Sequence, residues 1–499
     1  MELIDHMATG FSVALTAKNI LYCFVGVFLG TVVGVLPGIG PVTTVAMLLP
    51  ISFTLEPVSA MIMLAGIYYG AQYGGSTTAI LVNIPGEASS VVTTLDGHQM
   101  ARRGRAGPAL GIAAIGSFFA GCVATVLISV AAPPLAAVAL EFGPAEYFSL
   151  MVCGLIAAVV LAHGSVLKAI AMVVLGLLLG LAGTDVNSGI RRFTFGFQGL
   201  ADGIEFVALS MAIYGIAEVA HNLEHKDRQV EVTSGIGRVW PAWSDIKRAF
   251  PAILRGTGLG SLLGVLPGGG ALLAAFAAYT LEKKVARPPR EFGQGDIRGV
   301  AAPESANNAG AQTSFVPMLT LGIPSNPTMA MMIGALMIHG ISPGPRVMTD
   351  RPDLFWGVIT SMWIGNLILV ILNLPLVGLW VRLLRIPYGL LFPAIVGFCC
   401  IGTYTINSNV FDVFVMAFFA IVGYLCLKLD CEPAPLILGF VLGPMMEENL
   451  RRALLISRGD PSVFVTEPIS LAFLIASLLL LGVVAAPAIR AKRAEALQE

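Results

Sequence analysis

The chain has 499 residues, of which 56% are hydrophobic and only 12% are Asp, Glu, Lys or Arg. Its mean hydropathy is +0.84, and since soluble domains carry roughly 25% charged residues, a water-soluble globule is excluded. The net charge of −1 leaves no basic stripe for nucleic acid, and the long apolar runs exclude a transmembrane β-barrel, whose strands alternate over about ten residues.

These numbers predict an all-α polytopic membrane protein with about 10–12 membrane segments, each needing about 20 mostly apolar residues. In residues 1–19 the positions Leu3, Met7, Phe11 and Leu15 recur at i, i+4. This pattern predicts a short helix along the membrane surface or docked on a partner subunit. Acidic Glu2 and Asp5 take the place of a signal peptide's cationic start. The seven cysteines lack C-x-x-C spacing and mostly lie in apolar runs, as small buried hydrophobes do.

The first membrane repeat is expected over 20–220 and a second over 251–489, joined by a cytoplasmic linker at 221–250 and followed by a cytoplasmic tail at 490–499. The evidence for repetition is a stretch running from Gly26 to Gly40 that matches the stretch from Gly256 to Gly270 at nine of fifteen positions. Each is followed by a second pair, Gly70-Ala71-Gln72 leading to Ile84-Pro85 and Gly310-Ala311-Gln312 leading to Ile323-Pro324.

Charge orients the halves. The segment containing Pro267-Gly268-Gly269-Gly270 has Lys247, Arg248 and Arg255 before it and Lys283, Lys284, Arg287 and Arg290 after it. By the positive-inside rule both flanks are cytoplasmic, which makes the segment a re-entrant hairpin. The equivalent hairpin in the first half is flanked by Lys18 and Glu56, and the cluster Arg102, Arg103, Arg105 comes only after the next span. Apolar segments near 108–131, 143–161, 164–183 and 203–220 then return the chain to a cytoplasmic loop. The two repeats therefore have inverted topology, as in secondary transporters whose broken helices meet near the bilayer midplane.

In hydrocarbon a broken helix survives only where it is buried in protein or lines a polar cavity. Gly26, Gly30 and Gly34, with Gly256, Gly260 and Gly264, read as small faces for helix packing. The Pro-Gly breaks read as binding elements, because glycine admits a ligand close to the backbone and the next half-helix offers free N–H groups. The candidate substrate-binding residues are Pro37, Gly38 and Gly40, then Gly75, Ser76 and Thr77, then Pro267, Gly268, Gly269 and Gly270, and finally Ser305, Asn307, Asn308 and Thr313. Interhelical hydrogen bonding is the plainer role for these hydroxyls and amides.

Such donors suit a carboxylate, but two helix N-termini cannot neutralise a di- or tricarboxylate. A companion cation, Na⁺ or H⁺, follows, with Gln72, Asn83, Glu304, Asn308 and Gln312 as candidates and Glu304 the titratable one. The plainer reading of Glu304 is a solvated residue at a helix mouth. Lys168 reads as a snorkelling lysine, and Glu87 and Asp96 read as loop residues. No organic cofactor is expected.

With these residues in hand the chain resembles the large membrane subunit of the tripartite tricarboxylate transporter family. The resemblance runs through Gly34-Val-Leu-Pro-Gly-Ile-Gly-Pro41, Tyr68-Tyr-Gly-Ala-Gln-Tyr-Gly-Gly-Ser-Thr77, Asn83-Ile-Pro-Gly-Glu87 and Pro303-Glu-Ser-Ala-Asn-Asn-Ala-Gly310. It implies a multi-pass permease of the bacterial inner membrane, a smaller four-helix membrane subunit and a periplasmic solute-binding protein as partners. It also implies cation-coupled uptake of citrate or related carboxylates by an elevator-like movement.

Two other classes compete with the transporter reading. A membrane protease could use His221-Asn222-Leu223-Glu224-His225 as an H-x-x-E-H motif, or Gly293-Gln294-Gly295-Asp296 as part of an aspartyl site, but both fall in charged stretches. An anion channel is the stronger rival, because re-entrant hairpins also build selectivity filters. No Gly-Lys dipeptide exists for a Walker A loop.

Overall fold

The computed structural model describes residues 2–36, 40–162, 165–185, 188–224, 237–266, 270–287, 292–383 and 388–485. The regular structure among these residues is helical, apart from a minimal antiparallel ladder of Gly183–Thr184 with Arg191–Arg192. The first half comprises α1 (Glu2–Ala14), α2 (Ala17–Val35), α3 (Pro41–Phe53), α4 (Pro57–Val82), α5 (Val91–Arg102), α6 (Ala106–Leu140), α7 (Pro144–Leu161) and α8 (Val166–Gly180). A helix α9 (Phe206–Ser210) then continues through a π-helical turn, Met211–Ala217, into α10 (Glu218–Glu224). The second half begins with α11 (Trp243–Leu263), α12 (Gly270–Val285), α13 (Arg298–Thr313), α14 (Phe315–Leu321) and α15 (Pro327–Ile338). It continues with α16 (Arg346–Asp350), α17 (Pro352–Asn373), α18 (Val377–Leu383), α19 (Tyr388–Asn407), α20 (Val410–Lys428), α21 (Ala434–Ile456), α22 (Val463–Thr466) and α23 (Pro468–Ala485).

Helices α2, α6, α17 and α20 are long and apolar enough to cross a membrane, and seven shorter apolar helices accompany them among the described residues. The four apolar segments expected between 108 and 220 form α6, α7, α8 and the α9–α10 unit. Many helices open on proline, whose missing N–H costs nothing in a first turn; Pro41, Pro57, Pro144, Pro327 and Pro352 each fill that place. The amphipathic N-terminal helix α1 lies on α17, with His6 stacked on Trp356 at 5.1 Å and Phe11 on Trp363 at 5.6 Å.

The interior is built on two glycine-mediated helix pairs. A Cβ at Gly26, Gly30 or Gly34 of α2 would fall 2.1, 2.4 or 2.3 Å from the carbonyl oxygen of Met63, Ile67 or Ala71 on α4. A Cβ at Gly256, Gly260 or Gly264 of α11 would fall 2.3, 2.3 or 2.4 Å from that of Ala302, Ala306 or Gly310 on α13. Only a missing side chain allows backbones this near, the small-residue packing of membrane helices. Both partners advance together in sequence, so α2 runs parallel to α4 and α11 parallel to α13.

Helices α4 and α13 meet at the centre. Ser76 of α4 hydrogen-bonds Glu304 of α13 at 2.5 Å, while Tyr68 of α4 packs on Phe315 of α14 with ring centroids 6.3 Å apart. Going back along α4 thus goes forward along α13 and α14, and the two run antiparallel. Every residue of α13 is buried, although seven of its sixteen residues are polar or charged. A helix of that kind is stable only inside a protein, with its polar groups turned to partners or cavities.

Candidate functional site

Pro37, Gly38, Pro267, Gly268 and Gly269 lie outside the described residues, and the site is built from what flanks them. Gly40 is the extended residue before α3. Gly270 opens α12 with a φ of 39°, in the left-handed region. The first turns of α3 and α12, from opposite halves of the chain, both line one cavity of about 370 Å³ through Gly40, Pro41, Val42, Ala271 and Leu272. That volume lies within the range of about 300–1,000 Å³ typical of small-molecule sites. Tyr68 and Gln72 of α4, Asn326 before α15 and the loop from Pro85 to Ser89 complete this wall. The facing wall comes from Ala158 and Ala162, from Tyr214 and Glu218, and from Glu432 to Leu438.

Hydrogen bonds set these side chains. Asn326 accepts from the Met329 N–H at 3.0 Å, which caps α15, and donates to the Tyr68 hydroxyl at 3.1 Å and the Ser314 hydroxyl at 3.2 Å. The Ser89 hydroxyl, with one proton to donate, lies within hydrogen-bond reach of Gln72 Oε1 at 2.9 Å and of Glu87. Glu87 also receives Asn307 Nδ2 at 3.1 Å, and Glu218 receives Thr43 Oγ1 at 2.8 Å. The ionisable lining of the cavity is thus Glu87, Glu218 and Glu432 with the tyrosines, and it includes no Lys, Arg or His among the described residues.

Behind the cavity, between α4, α5, α6 and α13, lies a buried polar network. Glu304 is 1% exposed, which overturns the solvated-mouth reading, and it accepts hydrogen bonds from Ser76 and Thr93. Asn308 Nδ2 donates to Ser117 Oγ at 2.7 Å and to the Glu304 carbonyl at 3.1 Å. Thr125 Oγ1 donates to Gln312 Oε1 at 2.8 Å. The buried Ser305 Oγ, Asn307 Oδ1, Asn308 Oδ1 and Gln312 Nε2 have no hydrogen-bond partner.

Of the residues singled out from sequence, Gly40 and Gln72 face the cavity, and Gly270 lies at its edge beside Asn326. Gly75 packs under Glu87, where a Cβ would meet the Glu87 side chain at 2.8 Å. Ser76, Thr77 and Glu304 surround a separate, smaller void. Thr313 packs against Gly264 and bonds back to the Ala309 carbonyl at 3.0 Å. Asn83 ends α4 at a φ of 58° and is exposed, away from both the cavity and the buried network. The equivalent end of α14 is Gly322 at 72°, so the left-handed cap before each Ile-Pro is shared by the two halves.

Two assignments change. Asp96 belongs to α5 and is fully buried. Val92, Thr93, Asp96, Gly97, Met100 and Ala101 form its inward stripe at helical spacing. It accepts the Tyr279 hydroxyl at 2.9 Å and the backbone N–H groups of Gly295 and Asp296 at 2.7 and 2.9 Å. Glu87 lies in the loop foreseen, but it faces the cavity. Tyr68, Asn326, Tyr214, Glu218 and Glu432 were also missed. For Glu218 the signal was available, as a carboxylate at the end of an apolar run is a functional candidate by default.

The protease motifs resolve into ion pairs. Asp296 pairs with Arg298 at 2.6 Å and with Arg248 at 2.8 Å. Burial raises the Asp296 carboxyl, but the Arg298 hydrogen bonds and the charges of Arg298 and Arg248 outweigh this and hold it below its ordinary value. Glu224 pairs with Lys428; His225 lies outside the described residues. No cluster of three metal-ligating side chains occurs among the described residues.

Residues 20–438 match the Tripartite tricarboxylate transporter TctA family. The chain is 60% identical over 494 residues, 99% of its length and 98% of the relative's, to an uncharacterized 52.8 kDa protein in the TAR-I ttuC' 3' region of Agrobacterium vitis. It is 62% identical over 239 residues, 47% of its length and 97% of the relative's, to a protein in the TAR-II ttuC' 3' region of the same organism. No solved structure matches the chain. The chain therefore belongs to the TctA family, the large multi-pass membrane subunit of tripartite tricarboxylate transporters, and it is a permease without enzymatic activity.

Proposed function

We propose that this subunit imports a di- or tricarboxylate together with a cation, Na⁺ or H⁺, by moving the central cavity between two sides of the bacterial inner membrane in an elevator-like way. Its partners in this reading are a small membrane subunit and a periplasmic solute-binding protein. The observation that carries the reading is the shared cavity, where the first turns of α3 and α12 converge from the two halves. Each turn supplies free backbone N–H groups and a partial positive charge, suited to carboxylate oxygens. The acidic remainder of the lining supports coupling, since an anion beside Glu87, Glu218 and Glu432 needs protons or a cation to offset their charge.

The halves in this reading are inverted repeats at 20–220 and 251–489, joined by the linker at 221–250. Lys18 and Glu56 pair at 2.8 Å, so α2 and α4 start at one level and α3 returns the chain to it. Arg255 in the second half of α11 and Glu282 near the end of α12 pair at 2.8 Å, tying the two arms of the second hairpin together. With α4 antiparallel to α13, the two hairpins enter from opposite sides, which supports the inverted arrangement.

The test is thermal stabilisation of the purified membrane subunits by a panel of carboxylates, with and without sodium and at two pH values. Citrate or a related carboxylate is expected to raise the midpoint in a cation-dependent way, and Leu272→Trp, which fills the cavity, is expected to remove the response. Stabilisation of equal size in Leu272→Trp contradicts the site.

A further inference from the structure

We propose that a sodium ion binds between α4, α6, α13 and α17, in the void beside Glu304. The void measures about 10 Å³ and is lined by Tyr73, Ser76, Thr77, Ser117, Glu304 and Asn373, all of which carry side-chain oxygens, and by apolar side chains of α6. That is the lower bound for holding one water, and sodium is smaller than water.

Two of these oxygens have no other use. The Tyr73 hydroxyl and Asn373 Oδ1 are buried without a hydrogen-bond partner, on side chains of residues only 4% and 6% exposed. The Asn373 amide nitrogen donates to the Leu369 carbonyl at 3.0 Å, which fixes its oxygen on the other side. Ser76 spends its proton on Glu304, and its lone pairs remain free. The Glu304 carboxylate receives hydrogen bonds from hydroxyls alone. A buried carboxylate in that position holds a negative charge only with a cation beside it.

The donor set identifies the ion. A single carboxylate among neutral oxygens balances one positive charge. A calcium or magnesium ion would have only one carboxylate against its two charges, and magnesium also keeps several waters for which this void has no room. Soft metals need thiolates or imidazoles, and none lines the void.

The site joins α4 and α6 of the first half to α13 and α17 of the second, so an ion held there reports how the halves sit against each other. The proposal rests on the cation-coupled reading above and gives that cation a place among residues which that reading did not include, Tyr73, Ser117 and Asn373.

The experiment compares thermal midpoints of the purified subunit in sodium, potassium and choline chloride at equal ionic strength, without substrate. Sodium alone is expected to stabilise the wild type. Tyr73→Phe and Asn373→Ala are each expected to raise the half-saturating sodium concentration at least tenfold, while their midpoints in choline show that they fold. Equal responses to sodium and potassium, or an unchanged sodium response in both variants, overturns the site. Carboxylate binding that keeps its sodium dependence in both variants overturns this site but leaves the coupled-transport reading standing. Loss of every carboxylate response in the wild type sinks that reading instead, and the substrate-free sodium response still decides the site.

Discussion

Gly260 lies so close to Ala306 that a Cβ on the glycine would stand 2.3 Å from the alanine carbonyl oxygen. Gly258, two residues away on the same helix, faces open space with nothing within 4 Å. Gly260→Ala must therefore push α11 from α13 and is expected to cost about 1–3 kcal/mol. Gly258→Ala should be neutral or stabilising by up to about 1 kcal/mol, because alanine favours helix. Thermal unfolding of the two variants in detergent separates packing from propensity.

The paired arms of the two hairpins differ in burial. Glu282 is buried and its partner Arg255 has a side chain 35% exposed, whereas Lys18 and Glu56 are 47% and 73% exposed. Arg255→Ala leaves a buried carboxylate unpaired and is expected to lower stability by about 2 kcal/mol, less than the about 3–5 kcal/mol of a fully buried pair. Lys18→Ala should cost under about 1 kcal/mol. Equal midpoints for the two variants would contradict this ordering.

Asp296 sets a response to acid. Because Arg298 and Arg248 hold its carboxyl below the ordinary value of 3.8, the folded chain keeps it ionised to lower pH than the unfolded chain does. Its stabilisation is complete above the unfolded value and is lost as pH falls through the folded one. The wild-type melting midpoint should fall as the pH drops from about 5 to below the folded value, and Asp296→Asn should flatten that part of the profile. A wild-type slope retained in full by Asp296→Asn would assign the response to other groups.

The sequence carried much of this architecture because membrane packing writes itself in small residues. Gly26, Gly30 and Gly34 recur every fourth residue and lie on α4 as that spacing requires. Glu304 was legible too, as a carboxylate within a polar stretch at membrane depth. Glu87 and Asp96 were not, since charged residues in a polar stretch read as solvated. Asn307 on Glu87 and Tyr279 on Asp96 come from 220 and 183 residues away, and such pairing has no local signature. The cavity was legible only in part, for Asn326 and Glu432 gain meaning from the turns of α3 and α12 beside them.

The proposed inverted arrangement puts Lys18 and Lys283 on opposite sides of the membrane. Both side chains are exposed. Lys18→Cys is expected to react with an impermeant maleimide added outside spheroplasts, and Lys283→Cys only after the membrane is opened. Labelling of both from one side would remove the inverted arrangement.

Coupled transport through the cavity is tested most directly by uptake of radiolabelled citrate and C4 dicarboxylates into proteoliposomes holding both membrane subunits and the binding protein. The account predicts accumulation above the external concentration only when an inward sodium or proton gradient is imposed, and its loss in Leu272→Trp. Carboxylate flux that merely equilibrates, with or without such a gradient, or accumulation that survives in Leu272→Trp, would contradict it.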